Sequence, residues 1–456
     1  VLACALTMNG LPVQSISAST QKAYAAAKSE TGKQDVSQPE TKMGNVVLDG
    51  NDIAVNNVNG LTYKGFGMLS GNSTSDLLMD YKAEQPKAYA ELMQYLFGGN
   101  YPIMNHVKLE MGNDRNTSTG PESCTKRTEK EKANVLRNPG WQLAADAKEI
   151  NPKIKVSILR WEAPVWAGTD EKIYQWYKET ILDAYEKYGY MVDYINPNIN
   201  EKWDVDSDVA FTKKFAKWIA AETKETIPDE KALALYHKIK LVVSDEAGTA
   251  SDSVVESMKS DSDFYNSVDV VGYHYSPWDD SNGGMKWLAQ TKDKEVWNSE
   301  AQATFSNSAF RPANNVKDPT TEGTGLGGTG SALEMANTFI KGFVQSRRSH
   351  VIYQPAIGSF YEGAQFSFKE LVSARDPWSG WIHYDAGLLM LAHISKFAVT
   401  GWENEDNTAG IWRAVPQASK CTADGTNPVN GRNGGENYMT LASPAKDNFS
   451  TMIVND

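Results

Sequence analysis

The chain has 456 residues, 41% of them apolar and 22% charged, and a formal net charge of −12. That length suffices for one large core with further elements, and the composition is that of an ordinary globular protein. The acidic balance argues against nucleic acid or an anionic membrane surface as main partner, and no run is long and apolar enough to span a bilayer.

The opening "VLACALTMNGLPVQSISAST" passes from apolar to small and polar residues. This is the pattern of the tail of a secretory signal peptide, with cleavage expected near Ala18 and a secreted or cell-surface location as the expectation. A disordered arm is the alternative; a lipid-modified Cys4 fits poorly, because Leu2 departs from that pattern. Residues 19–43 are small, polar and charged, so 1–43 reads as leader remnant and linker. Cys4, Cys124 and Cys421 do not make a disulfide framework, and the sequence leaves a Cys124–Cys421 pairing open. The six histidines lack metal-ligand spacing, so neither a metal nor a cofactor is expected.

From residue 44 a strand–helix alternation begins. Predicted strands are Leu61–Met68, Asn105–Glu110, Lys155–Arg160, Val192–Ile195, Lys240–Ser244, Val268–His274, Glu295–Asn298 and His350–Gln354. Between them Ile173, Trp176, Tyr177, Ile181, Ala184 and Tyr188 recur at helical spacing. So do Phe211, Phe215, Trp218 and Ile219, and later Leu333, Ala336, Phe339, Ile340, Phe343 and Val344. Strands such as "KLVVS" and "VDVVG" are continuously apolar, as burial on both faces requires. The expected fold is α/β, a (β/α)8 TIM barrel over 44–398. A doubly wound sheet is the alternative, but no glycine-rich phosphate loop follows the first strand. Residues Arg311 to Ala332 form a long glycine- and threonine-rich loop, a candidate active-site rim. After Phe397, "GIWRAV", "ENYMTLAS" and "NFSTMIVN" read as short antiparallel strands. Residues 399–456 are therefore expected to begin a β-sandwich that is incomplete at its C-terminal end, with 44–60 as a candidate extra strand.

Two strand ends carry the chemistry. The fourth runs "VDYINPNINE", placing Asn196, Asn198 and Asn200 before Glu201; the seventh runs "KEVWNSEA" and presents Glu300. Either glutamate alone reads as a strand-end charge. A matched pair at the mouth of a barrel is what a retaining glycosidase needs, with carboxyl groups about 5–5.5 Å apart. One must stay protonated as acid and the other ionised as nucleophile. Asn200 is suited to hydrogen-bond a sugar 2-hydroxyl, and the 13 Trp and 20 Tyr supply flat faces for sugar rings or simply fill the core.

With those residues in view, the chain from about Lys64 to Asp456 resembles glycoside hydrolase family 59, the galactocerebrosidase-type enzymes of a clan of retaining glycosidases. "GFGMLSGNSTSDLLMDY" is similar to the family's opening strand and "VKLEMGNDRNTSTG" to its strand-two motif, with Thr117 at or next to a sugar-contacting threonine. "WEAPVW" puts Trp161 where the family has a pocket tryptophan. "DYINPNINEK", "VVGYHY" and "WNSEA" resemble strands four, six and seven, and "ARDPWSG" and "LAHISKF" continue the likeness. The resemblance implies Glu201 as acid/base and Glu300 as nucleophile, with Asn200, Trp161, Thr117, His274, Tyr275 and Trp378 around the substrate. His274 also reads as a core histidine, and Trp378 as a loop anchor. Departures concern specificity: Ala303 replaces a polar contact, Phe366 a tyrosine, and Tyr353 and Gln354 occupy the region of the usual strand-eight tryptophan. Strand four carries an extra residue before Asn200, and an arginine the family supplies from its sandwich would lie beyond Asp456. The resemblance implies an enzyme that cleaves terminal β-galactosides, on a galactosylceramide-like lipid or a glycan, by double displacement; with the leader-like start, an exported, bacterial-type enzyme is expected. Two alternatives stay open: a clan-related β-glycanase or endo-β-galactanase, and a carbohydrate-binding protein without catalysis.

Overall fold

The computed structural model of the protein describes residues 45–54, 62–71, 74–115, 121–246, 249–275, 283–301, 332–354, 356–358, 371–398, 413–421, 436–443 and 448–454. The described residues from Val46 onward belong to one compact unit. The expected leader and linker and nearly all of the loop after strand seven lie outside the described residues.

Each apolar run pairs in parallel with the next: β1 (Phe66–Ser70), β2 (His106–Glu110), β3 (Lys155–Arg160), β4 (Tyr194–Ile199), β5 (Lys240–Glu246), β6 (Val270–His274), β7 (Glu295–Ala301) and β8 (His350–Tyr353). β8 returns to β1 and closes the barrel. The helices around it are α1 (Thr74–Glu84), α2 (Pro86–Phe97), α3 (Pro139–Ile150), α4 (Asp170–Tyr188), α5 (Val205–Ala221), α6 (Glu230–Tyr236), α7 (Thr249–Ser260), α8 (Ser262–Ser267), α9 (Gly284–Thr291), α10 (Ala332–Ser346) and α11 (Ala386–Ala398).

Local chemistry sets these limits. In α4 the Thr169 hydroxyl accepts from the Lys172 N–H, Asp170 and Glu171 favour the positive helix start, and Gly189 at φ 77° ends the helix in the left-handed conformation. Trp176, Tyr177, Ile181 and Ala184 then face the sheet and are buried. Inside the barrel, Leu69, Leu159, Tyr194, Val242, Val270, Trp297 and Ile352, from seven different strands, pack as one layer with Trp161 on it. This layer is a filled core, not a pore.

Between β8 and α11 stands a small sheet of β9 (Ile357–Gly358), β10 (Val372–Asp376) and β11 (Trp381–Tyr384) that the sequence reading did not foresee. It docks on α1, where the Tyr81 hydroxyl donates to the Trp381 carbonyl and accepts from the Asp376 N–H. The C-terminal strands form one antiparallel sheet among the described residues: β12 (Arg413–Ala414), β13 (Lys420–Cys421), β14 (Asn437–Ala442) and β15 (Phe449–Ile453). Its Ala414, Met439 and Leu441 share the core of Phe339 and Phe343 on α10. The described part of 44–60 contributes no strand. It packs Val46 and Ile53 on this sheet, and the Ala54 N–H donates to the Ala414 carbonyl.

The pairing left open for Cys124 and Cys421 is not made, since Cys124 is a free thiol. Cys124 is buried, donates to the Lys126 carbonyl, and has its thiol pushed up to about 11 by desolvation. A cavity of about 1420 Å³ opens at the N-terminal end of the barrel, lined by the first residues of six strands, among them Lys155, Lys240 and Glu295. It holds neither of the predicted glutamates, and active sites of this fold lie at the other end.

Candidate active site

Three strands bulge at their C-terminal ends, and each bulge aims an acidic side chain. While β3 advances from Ile158 to Arg160, β4 advances from Ile195 to Ile199. Pro197, which cannot donate to a ladder, is accommodated there. Asn196 holds the bulge: its Oδ1 accepts from the Asn198 N–H at 2.9 Å, and Nε of Arg160 donates to the Pro197 carbonyl at 2.9 Å. Past this point the Asn200 N–H rejoins Arg160, and the Glu201 N–H donates to the Asp245 carbonyl at 3.1 Å. In β5, Asp245 is the extra residue between the Ser244–Gly272 and Glu246–Tyr273 pairs. In β7, Ser299 is extra between the pairings of Asn298 and Glu300. Such bulges re-aim side chains beside active sites.

Backbone strain gathers at the same place. Glu201, Ser244, Asp245 and Tyr275 have φ of 55°, 76°, 46° and 60°. Each costs on the order of 1–2 kcal/mol in a residue with a Cβ.

The side chains converge tightly. The Tyr275 hydroxyl oxygen lies 2.6 Å from Oε1 of Glu201 and 2.6 Å from Oε1 of Glu300. Nδ1 of His274 stands 3.0 Å from Oε1 of Glu201 and 3.7 Å from Oε2 of Glu300. One ligand atom from each of Glu201, His274 and Glu300 lies within 4.8 Å of the others. The Glu300 side chain is nearly inaccessible at 2%, whereas that of Glu201 is 31% exposed. One phenolic proton can be donated to only one of two carboxylates. A second short contact to the same oxygen is favourable only when a further proton sits on the pair or its neighbour.

The model of Glycosyl hydrolase family 59 matches residues 63–396. The chain belongs to glycosyl hydrolase family 59. It is 25% identical over 357 residues to galactocerebrosidase of Danio rerio, covering 75% of this chain and 46% of that one. To galactocerebrosidase of Homo sapiens it is 27% identical over 350 residues, covering 75% and 44%. The chain thus spans under half the length of these curated relatives. Among solved structures, SrfJ from Salmonella typhimurium superposes with a TM-score of 0.60 at 12% identity, covering 86% of this chain and 82% of that one. GH30 xylanase C from Talaromyces cellulolyticus gives 0.52 at 12% identity, covering 84% and 85%. These structural likenesses bear on the fold alone, and they agree with the barrel.

In this family 59 chain, two residues not foreseen in the sequence stand behind the glutamates. Nζ of Lys108, on β2, lies 3.0 Å from Oδ2 of Asp245, and both side chains are buried. Nδ2 of Asn196 donates to the same oxygen at 2.7 Å. Oδ1 of Asp245 faces Nε2 of His274 at 3.5 Å. Burial opposes ionisation of Asp245, but Lys108 and His274 outweigh it and hold the carboxyl far below the usual range. Burial alone would lower His274; the carboxylates of Glu300, Asp245 and Glu201 push it up to about 9 instead. Burial likewise raises Glu201, yet the hydrogen bonds from His274 and Tyr275 prevail and draw it down. The three atoms are close enough to hold a cation or to share a proton.

Asn200 is wholly buried beside Glu201, and neither Oδ1 nor Nδ2 has a hydrogen-bond partner among the described residues. An unsatisfied group of this kind costs about 1–3 kcal/mol, which a bound hydroxyl would recover. Trp161 lies half-buried on the barrel's interior layer, and Tyr353 and Gln354 are buried at the end of β8. Trp378 is 75% exposed at the β10–β11 turn, and its carbonyl accepts from Gln85. Thr117, Ala303 and Phe366 lie outside the described residues.

Proposed function

We propose that this chain is the catalytic part of a retaining β-glycosidase acting on terminal β-galactosides. The observation that carries the reading is the single Tyr275 hydroxyl touching both Glu201 and Glu300 at 2.6 Å. A separation that short suits attack by one carboxylate and proton transfer by the other across one bond; inverting pairs stand farther apart, at about 6.5–9.5 Å. Glu300, deep and nearly inaccessible, attacks the anomeric carbon. The glycosidic C–O bond breaks, and Glu201 passes a proton to the departing oxygen. Water then enters from the open side, where Glu201 is partly exposed; Glu201 takes its proton, and the hydroxide oxygen displaces Glu300 from the sugar. Asn200 offers its free amide to the 2-hydroxyl. Galactose as the terminal sugar rests on the name of the curated relatives, galactocerebrosidase.

A panel of aryl β-galactoside, β-glucoside and β-xyloside with polymeric galactan tests the reading. Turnover of the aryl β-galactoside above the others is expected. Turnover of galactan alone would replace terminal by internal cleavage. Sugar binding without turnover of any substrate would make the protein a carbohydrate binder.

A further inference from the structure

Outside the two glutamates, the barrel interior holds a charge arrangement that glycoside cleavage by Glu201 and Glu300 does not itself require. Lys108 enters from β2, Asp245 from the β5 bulge and His274 from the end of β6, and all three are buried. Burying a pair of charges is costly and is not by itself stabilising. The pair is also built at a price in strain, since Ser244 and Asp245 both adopt positive φ. Gly272 is required beside it, because a Cβ there would lie 2.4 Å from both Asp245 Oδ1 and Ser299 Oγ.

We propose that Asp245 and Lys108 are positioning residues that act through His274 to store and release the acid proton of Glu201. This rests on the glycosidase reading above. Asp245 faces Nε2 of His274, and Nδ1 of His274 faces Glu201. The proton has two places along that line. On His274 it leaves an imidazolium facing the three carboxylates of Glu201, Asp245 and Glu300; on Glu201 it leaves a neutral imidazole and a carboxylic acid. The Nδ1–H bond breaks as the Oε1–H bond forms, and the total charge of the cluster is unchanged. With the proton on Glu201, its hydroxyl can donate to Tyr275, which donates to Glu300, so both 2.6 Å contacts are satisfied at once.

The groups facing His274 are Glu201 at the end of β4, Asp245 on β5, its neighbour Tyr275 and Glu300 on β7, with Lys108 behind Asp245. Asp245 favours the protonated ring and Lys108 opposes it. The two halves of one ion pair therefore pull the storage equilibrium in opposite directions.

The test uses Asp245→Asn and Lys108→Met in the full chain, with two readouts. The first is the ring-nitrogen NMR titration of His274 in free protein, which needs no substrate and stands whatever the reaction is. Removing an opposite charge beside a titrating ring moves its midpoint by about 1–3 pH units, which sets the scale for D245N. The expected result is a lower midpoint for D245N and a higher one for K108M. The second readout is the alkaline limb of kcat/KM on an aryl β-glycoside, which should move in the same directions. Midpoints unmoved, or displaced the same way in both variants, overturn the proposal. Should K108M not fold, D245N decides alone: an unchanged His274 midpoint refutes. A wild type that turns over no aryl β-glycoside counts against the glycosidase reading and leaves the titration to judge the relay.

Discussion

Replacing Tyr275 by Phe removes the one hydroxyl that touches both glutamates and keeps the ring, which stands edge-on to His274 with centroids 5.4 Å apart. One phenolic proton makes one donated bond, and a hydrogen bond to a charged group contributes about 1.5–3 kcal/mol. At 1.36 kcal/mol per decade, kcat/KM should fall on the order of 10- to 100-fold. Electrostatics adds a second signature. The facing oxygens lie within 4.8 Å, where two full charges repel by about 3.5 kcal/mol at an effective dielectric near 20. The Tyr275 hydrogen bond is also one of the influences holding Glu201 down. Without it, Glu201 keeps its proton to higher pH. The assay is kcat/KM for an aryl β-galactoside across pH 4–10 (about six points per limb suffice), with circular dichroism to establish folding. A folded Y275F protein with unchanged kcat/KM and an unchanged profile would refute the bridging role.

Gly272→Ala should lower the unfolding free energy by about 1–3 kcal/mol, the usual cost of overpacking a rigid site, because the new methyl meets Asp245 and Ser299 at 2.4 Å; a denaturant melt reads this, and a neutral result would mean that β5 and β7 yield more than their pairing suggests. Stability should also depend on His274. Its folded value of about 9 exceeds the ordinary 6.5, so its contribution is fully present below pH 6.5 and is lost as pH rises through about 9. Unfolding free energies of wild type and His274→Gln from pH 6 to 9.5 should therefore converge as pH rises, by up to about 3 kcal/mol; parallel curves would deny the ring its raised value.

The barrel was legible because strands covered on both faces are apolar throughout, and all eight predicted runs overlap the strands they foretold. Their ends were harder to place. The fourth and seventh were expected to stop at Ile195 and Asn298 but continue to Ile199 and Ala301. Polar residues there signal strand termination by composition, yet Asn196, Asn198 and Ser299 lie within the barrel, with the two asparagines held by hydrogen bonds from the side chain. Lys108 in "HVKLE" looks like the solvent-facing member of an alternating strand. Its burial depends on Asp245, which is remote in sequence and is turned inward by a bulge that no local pattern announces. The glutamate pair, by contrast, was readable from the repeated form of two strand ends, and Tyr275 and His274 from their place beside it. The β9–β11 sheet escaped notice because its strands are short, two to five residues each.

The most direct measurement is covalent trapping. Incubation with 2-deoxy-2-fluoro-β-galactosyl fluoride, followed by peptide mass spectrometry, should find one sugar per chain attached to Glu300. Attachment to Glu201 or to any other residue, or turnover of β-galactosides with first release of the α-anomer, would contradict the account.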